Sequence, residues 1–519
     1  MELWFIIVVS ICISCLIKSI ITLNKTSKNL DLPPGPPAAP LIGNFIWLRK
    51  PISELETILR RLKTLYGPII TMTIGRRPFI FVSSHSIAHR ALIQNGAVFA
   101  DRPPPPPTAR IANRSMKSIS SSGYGPTWRL LRRNLTHEIL HPGRVKSHSG
   151  SRKWVLSLLI RRLMNTAESV KLIDHFQFAM FCLLVFMCFG DKLEENQIKE
   201  IEDVQRKMLL GFRRFNVLNF WPIWISKTIY SKLWKELAQL RKYQDDVLIP
   251  LIRARLESKQ EHVSVPSAYV DTLVDLELPE ENNRKLEESE MVSLCGEFLT
   301  AGTDTTSTAL QWIMANLVKY PHFQTRLYNE IISIVGPPPA FTEEEEEEEG
   351  VQQFRVVEEE DVQKMSYLKA VVLEGLRRHP PGHFVLPHRV TQEVELEGYK
   401  IPKNSIVNFM VADMGWDPEV WEDPMEFKPE RFLDHEPAAD TFDITGSREV
   451  KMMPFGAGRR ICPASGLAML HLEYFVANLI WYFEWTPLEG DEIDLTEKQE
   501  FTIVMKNPLC ARISPRVHI

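Results

Sequence analysis

Apolar residues lay out the chain before any motif is considered. From Leu3 to Leu23 they run almost without a break, close to the roughly twenty residues that a bilayer crossing requires. Ile52 to Tyr66 and Ser366 to His379 repeat at helical spacing, whereas Ile69 to Val82 alternates around Gly75-Arg76-Arg77 and predicts a hairpin. Lys153 to Glu261 reads as amphipathic helices, broken from Phe215 to Tyr230 by an aromatic stretch. That stretch fits either ordinary core or an exposed lip that dips into a membrane. Glu287 to Lys319 is one helical run, on the order of 50 Å long at about 1.5 Å per residue. A further apolar run, Ser465 to Phe483, and a C-terminal hairpin around Phe501 to Val504 complete the pattern. Strands are few. The predicted fold class is mainly α, a helical domain with a small β-sheet region behind an N-terminal transmembrane helix. Its boundaries are 1–23 for the anchor, 24–44 for a linker and 45–519 for the folded body.

Charge and composition refine this picture. The formal charge of -4 is set by seven consecutive glutamates, Glu343 to Glu349, and without them the chain is slightly basic, which gives no footprint for nucleic acid. That acidic run repels itself and reads as a solvated insertion loop. Seven scattered cysteines do not form a disulfide framework, so a reducing compartment is expected. Lys18, Lys25 and Lys28 come late in or after the apolar run, where a cleaved signal peptide would have them before it. The segment therefore reads as a retained anchor with its N-terminus in the lumen and the body in the cytosol. Under that topology the sequons at Asn24, Asn113 and Asn134 stay unglycosylated. Leu32-Pro33-Pro34-Gly35-Pro36-Pro37 follows as a stiff extended hinge.

The candidate chemistry centres on Phe455-Gly456-Ala457-Gly458-Arg459-Arg460-Ile461-Cys462-Pro463-Ala464. Gly456 and Gly458 permit a tight backbone path beside a flat ligand, and Phe455 offers a ring to its face. Pro463 suits the first position of a helix, which places Cys462 at or near its N-cap, where the dipole favours thiolate. Arg460 supplies a permanent cation for a carboxylate. A lone cysteine would more often be a buried thiol. Together, however, these residues form F-x-x-G-x-R-x-C, which resembles the haem-binding loop of the cytochrome P450 family of haem-thiolate monooxygenases. Ala464 stands where the family commonly has glycine. The resemblance covers essentially the whole chain, including anchor and hinge, and points to the microsomal plant type.

Other stretches gain meaning from that resemblance. Trp128 and Arg132 share one helical face and are similar to the family's pair for a haem propionate. Arg129 and Arg133 lie on another face, available to an acidic partner. Ala301-Gly302-Thr303-Asp304-Thr305-Thr306 is poor helix material in the middle of a long helix, with small residues that leave space beside a cofactor and a threonine able to bond back to the helix. It resembles the family's oxygen-activation motif, which implies Thr305 and Asp304 as the catalytic alcohol and acid. Glu374 and Arg377, with Arg431 of Pro429-Glu430-Arg431-Phe432, are similar to a buried ion cluster that ties the haem loop to the core. By the same resemblance the region from Arg102 to Gly125 contributes to substrate selection, Phe384 to Leu386 line a cavity, and His388 meets a propionate.

The resemblance implies haem b, ligated by Cys462, and electrons from NADPH-cytochrome P450 reductase. It implies insertion of one oxygen atom into an apolar small molecule, on the cytosolic face of the endoplasmic reticulum membrane, in plant specialised metabolism. Two alternatives stay open: a reductase-independent isomerase or dehydratase on the same fold, and a non-catalytic membrane haem sensor.

Overall fold

The computed structural model describes residues 31–39, 50–74, 77–112, 117–165, 170–258, 268–339, 354–433 and 442–516, with isolated positions elsewhere. The expected anchor lies outside the described residues apart from Ser10 and Ser14. So do most of the acidic run, of which only Glu347–Glu348 are described, and the sequon at Asn113. The chain folds as two compact units, one made of residues 1–103, 383–420 and 443–461, the other of 104–382, 421–442 and 462–519.

In the first unit, helix α1 (Ile52–Tyr66) precedes the predicted hairpin of β1 (Ile69–Ile74) and β2 (Arg77–Val82), antiparallel with Ile69 opposite Val82. Two later segments join that sheet. Strand β3 (His388–Arg389) pairs with β4 (Ile406–Phe409), which lies parallel to β2, so the order is β1-β2-β4-β3. Alternation sorts the side chains. Ile69, Ile80 and Val82 enter one core with Val407 and Phe409, while Ile70, Met72 and Phe81 enter another with Leu55, Leu59 and Leu62 of α1. The hinge seats itself on the free edge of β1, where Pro34 O accepts the Thr71 N–H at 2.9 Å.

The second unit is helical. Its elements include α2 (Pro126–Asn134), α3 (Leu172–Phe189), α4 (Glu195–Phe215), α5 (Ile223–Ile229), α6 (Glu288–Lys319), α7 (Ser366–Arg378) and α8 (Ser465–Tyr482). Helix α3 is apolar enough to cross a membrane by composition, but most of it is buried within this unit, as in a core helix. Helix α6 packs on α3, α7 and α8. Hairpin β5 (Glu497–Gln499) and β6 (Ile503–Met505) docks on α6, with Trp312 Nε1 donating to Ile503 O at 2.8 Å and Thr308 bonded to Thr502 at 3.0 Å. The aromatic stretch splits its residues: Phe215 and Leu218 are buried with Trp234, whereas Trp221, Ile223, Trp224 and Ile229 stand exposed.

An ion cluster closes the N-terminal end of α6. Glu290 accepts from Lys117 Nζ at 2.6 Å, from Arg284 at 2.8 and 2.9 Å, and from the backbone N–H of Glu287 at 2.8 Å. Burial pushes this carboxyl up, but those donors outweigh it and hold it at about 2. A carboxyl depressed in the folded state contributes stability above its unfolded value and loses it as pH falls. The thermal midpoint is therefore expected to drop between about pH 5 and pH 2, and Glu290→Gln to flatten that part of the curve. Parallel curves for the two proteins would contradict the assignment.

Candidate active site

The loop sequence Phe455 to Ile461 belongs to the first unit, and its path depends on its glycines. Gly456 and Gly458 both have φ near +70°, and a Cβ on Gly458 would stand 2.0 Å from Leu92 O. Arg460 Nε donates to Ala100 O at 2.7 Å. Beside it Arg102 donates to the carbonyls of Leu386 and Pro387 at 2.8 and 2.9 Å. Burial, then the like charge of Arg460, lowers the Arg102 guanidinium to about 9, against the pull of Asp101. Arg102 belongs with the cofactor candidates, which its sequence context, next to a run of prolines, did not signal.

His388 sits in the same cluster, fully buried, with Nδ1 2.7 Å from Phe99 O. A carbonyl only accepts, so Nδ1 carries the proton and Nε2 presents a lone pair. Burial, followed by Arg102, lowers the ring to about 3, leaving it neutral near pH 7. The cationic side of this cluster thus comes from Arg102 and Arg460, and His388 turns to a carboxylate only when protonated.

Cys462 is the first residue of its segment of the second unit. Helix α8 begins at Ser465 with Ala464 as N-cap, so Cys462 lies two residues short of the cap and Pro463 is not its first helical residue. Burial raises the Cys462 thiol, with the Ala464 N–H and Arg132 pulling the other way. The sulfur needs an electron-poor centre to take its proton's place.

Trp128 and Arg132 meet as expected, with the guanidinium carbon 5.6 Å from the indole centroid. The indole N–H is spent on Ile119 O at 3.0 Å, which leaves Arg132 as the member of the pair with charge to offer. Arg129 and Arg133 are exposed, as expected for the other face.

On α6, residues Thr306 to Val318 are buried without a break, yet Ala301 is exposed and Thr305 half-exposed. A core helix open on one face borders a void. Thr305 Oγ1 donates to Ala301 O at 2.6 Å, Thr303 to Leu299 O at 2.8 Å and Ser307 to Thr303 O at 2.8 Å. These bonds back into the helix are the ones its composition predicts. Gly302 corrects another expectation. A Cβ there would meet Leu184 of α3 at 2.7 Å, so this glycine serves helix packing, not the void. Asp304 points to α3 and α4, accepting from Gln177 Nε2 at 3.4 Å, and Arg206 in turn donates to Gln177. Burial raises the Asp304 carboxyl, partly offset by Arg206. A cleft lined by these residues and Glu202 has room for about one ordered water.

The charged cluster on α7 is as predicted in geometry. Arg377 binds both oxygens of Glu374 at 2.7 and 2.8 Å, and Arg431 Nε reaches Glu374 at 3.2 Å. What it ties to α7 within its unit is the 422–431 segment, through the carbonyls of Pro424, Glu426 and Glu422.

The sequence model of the family described as Cytochrome P450 matches residues 33–511. The chain belongs to the cytochrome P450 family. It is 50% identical over 525 residues to Cytochrome P450 89A9 of Arabidopsis thaliana, covering 99% of this chain and 98% of that one. Costunolide synthase of Cichorium intybus is 30% identical, covering 93% of each. A solved zebrafish cytochrome P450 with progesterone superposes with a TM-score of 0.72 at 21% identity, covering 88% of this chain and 99% of that one, which shows a shared fold.

The chain is thus a cytochrome P450 monooxygenase, an oxidoreductase of plant metabolism whose cofactor is haem b. The residues present fit that group. The glycine path at Gly458 leaves no room for a side chain, buried Arg102 and half-buried Arg460 form a cationic pair suited to carboxylates, and Cys462 offers a soft sulfur ligand.

Proposed function

We propose that Cys462 would ligate the iron of haem b, that Arg132, Arg460 and Arg102 would hold its propionates, and that Phe455 would pack against it. Bound haem b supplies the centre at which dioxygen is activated and one oxygen atom passes to a substrate. Trp128 positions Arg132 and the 119–120 backbone, and His388 holds the Phe99 carbonyl so that Arg102 stays in place. Thr305 presents a hydroxyl to the open face of α6, and Asp304, whose carboxyl burial raises against the pull of Arg206, supplies an acid one residue away. The substrate is an apolar small molecule of plant specialised metabolism. The reducing equivalents come from NADPH-cytochrome P450 reductase, docked through the exposed Arg129 and Arg133. Leu3 to Leu23 anchors the protein in the endoplasmic reticulum membrane with the body in the cytosol.

The observation that carries this reading is the opening at Ala301 and Thr305 directly before a run, Thr306 to Val318, that is buried without a break. A helix that only packed would have no use for it. The decisive experiment is oxygen consumption with NADPH and the reductase. Consumption that requires both supports the monooxygenase. Turnover of an organic hydroperoxide without reductase, and no NADPH-dependent uptake, would favour the isomerase or dehydratase instead.

A further inference from the structure

One stretch of the second unit carries a pattern that the haem site leaves unused: His137-Glu138-Ile139-Leu140-His141, two histidines four residues apart, just beyond α2. Four residues are close to one helical turn, so i and i+4 share a face. Here the chain keeps winding through Leu135–Ile139, in a wider turn closed by the Leu140 N–H on Leu135 O at 3.0 Å. Leu135 and Ile139 are buried, while both histidines stand exposed, His137 with 75% of its side chain. The two ring centroids lie 5.9 Å apart, with planes inclined at 35°.

Two imidazoles on one helical face, with a glutamate after the first, are the arrangement that binds zinc on H-E-x-x-H helices. A tetrahedral ion about 2.0 Å from one nitrogen of each ring holds the ring centres about 5 Å apart, a small side-chain rotation from the spacing seen. Glu138 Oε1 lies 3.6 Å from His137 Nδ1 and draws the ring proton to that nitrogen, which leaves the lone pair on Nε2. His141 Nδ1 accepts the Gly143 N–H at 3.3 Å, longer than an ordinary N–H bond, so this lone pair is readily released to a metal. No third histidine, cysteine or carboxylate gathers with these two among the described residues. The site is therefore an open one completed by water, unlike a closed structural zinc centre.

We propose that His137 and His141 form a surface site for one divalent transition-metal ion, of the imidazole-seeking class of Zn²⁺, Ni²⁺ and Cu²⁺. Ions that prefer oxygen ligands, such as Mg²⁺, are not held by this pair. The bound ion ties the end of the α2 winding to the next helix, Pro142–Ser147, of which His141 is the N-cap. It also adds two positive charges one turn beyond the exposed Arg133. None of this depends on the haem chemistry.

The test is equilibrium dialysis of the untagged, haem-loaded full chain, first stripped with EDTA, against zinc chloride and separately against copper and magnesium chlorides. One Zn²⁺ per chain is expected, with Cu²⁺ bound more tightly and Mg²⁺ not at all. His137→Ala and His141→Asn are each expected to weaken Zn²⁺ binding by about tenfold or more at unchanged haem content. Asparagine is a strong N-cap, so metal lost in His141→Asn is not lost through the helix start. His322→Ala removes another exposed histidine and is expected to keep the bound ion. A native chain that takes up no Zn²⁺ overturns the proposal. So does uptake that survives both substitutions, or that disappears with His322, since either result marks an adventitious ion only.

Discussion

Arg377→Ala yields protein without haem. Glu374 and Arg377 have no exposed side-chain surface, and the guanidinium bridges both carboxylate oxygens and two backbone carbonyls. Removing it leaves Glu374 buried with Arg431 at 3.2 Å as its remaining side-chain partner and takes away the bonds from α7 to the carbonyls of Pro424 and Glu426. Breaking a buried pair in this way typically costs about 3 to 5 kcal/mol, a large share of the stability of most domains. Measured as haem per polypeptide after purification, the variant is expected to fall close to zero. Lys is not a conservative replacement, since a single ammonium does not span two oxygens and two carbonyls. Normal haem content in Arg377→Ala would remove the cluster from the account.

Thr305→Ala is expected to keep haem and to consume NADPH while making little product. The hydroxyl bonds back to Ala301 O, so the helix loses one local bond and no core contact. What disappears is the alcohol on the open face. Product per NADPH should fall by about 10²-fold, the lower end of what a placed proton-transfer group contributes, with hydrogen peroxide appearing in its place. Unaltered coupling would show that the hydroxyl has no part in proton handling.

The sequence showed some of this directly, and the reason is local. A helix that strings Gly302, Thr303, Asp304, Thr305 and Thr306 together advertises its own weakness, and the bonds back into the helix followed from residue type alone. Glu374 and Arg377 were readable because i, i+3 spacing fixes their relation on one helix. The hairpin of β1 and β2 came from alternation. Contacts made across long stretches of chain were not visible. Glu297 meets Ile119 over a separation of 178 residues, and no pattern in either neighbourhood reports it. Arg102 is brought beside Arg460 by tertiary packing, again without a local signature. Gly302 reads like a space-maker for a cofactor until the position of Leu184 is known. The same limit applies to Cys462. Proline after it suggested a cap, but the N-cap is Ala464, two residues beyond Cys462.

The protein by itself does little to ionise Cys462, because burial outweighs both the Ala464 N–H and Arg132. Bound haem b would supply the electron-poor centre that favours the thiolate. The carbon-monoxide difference spectrum of the reduced protein tests that claim most directly. The native chain is expected to show the red-shifted band of a thiolate-ligated ferrous carbonyl, and Cys462→Ala to lose it entirely. Retention of that band in Cys462→Ala would contradict ligation by this sulfur and with it the proposed site.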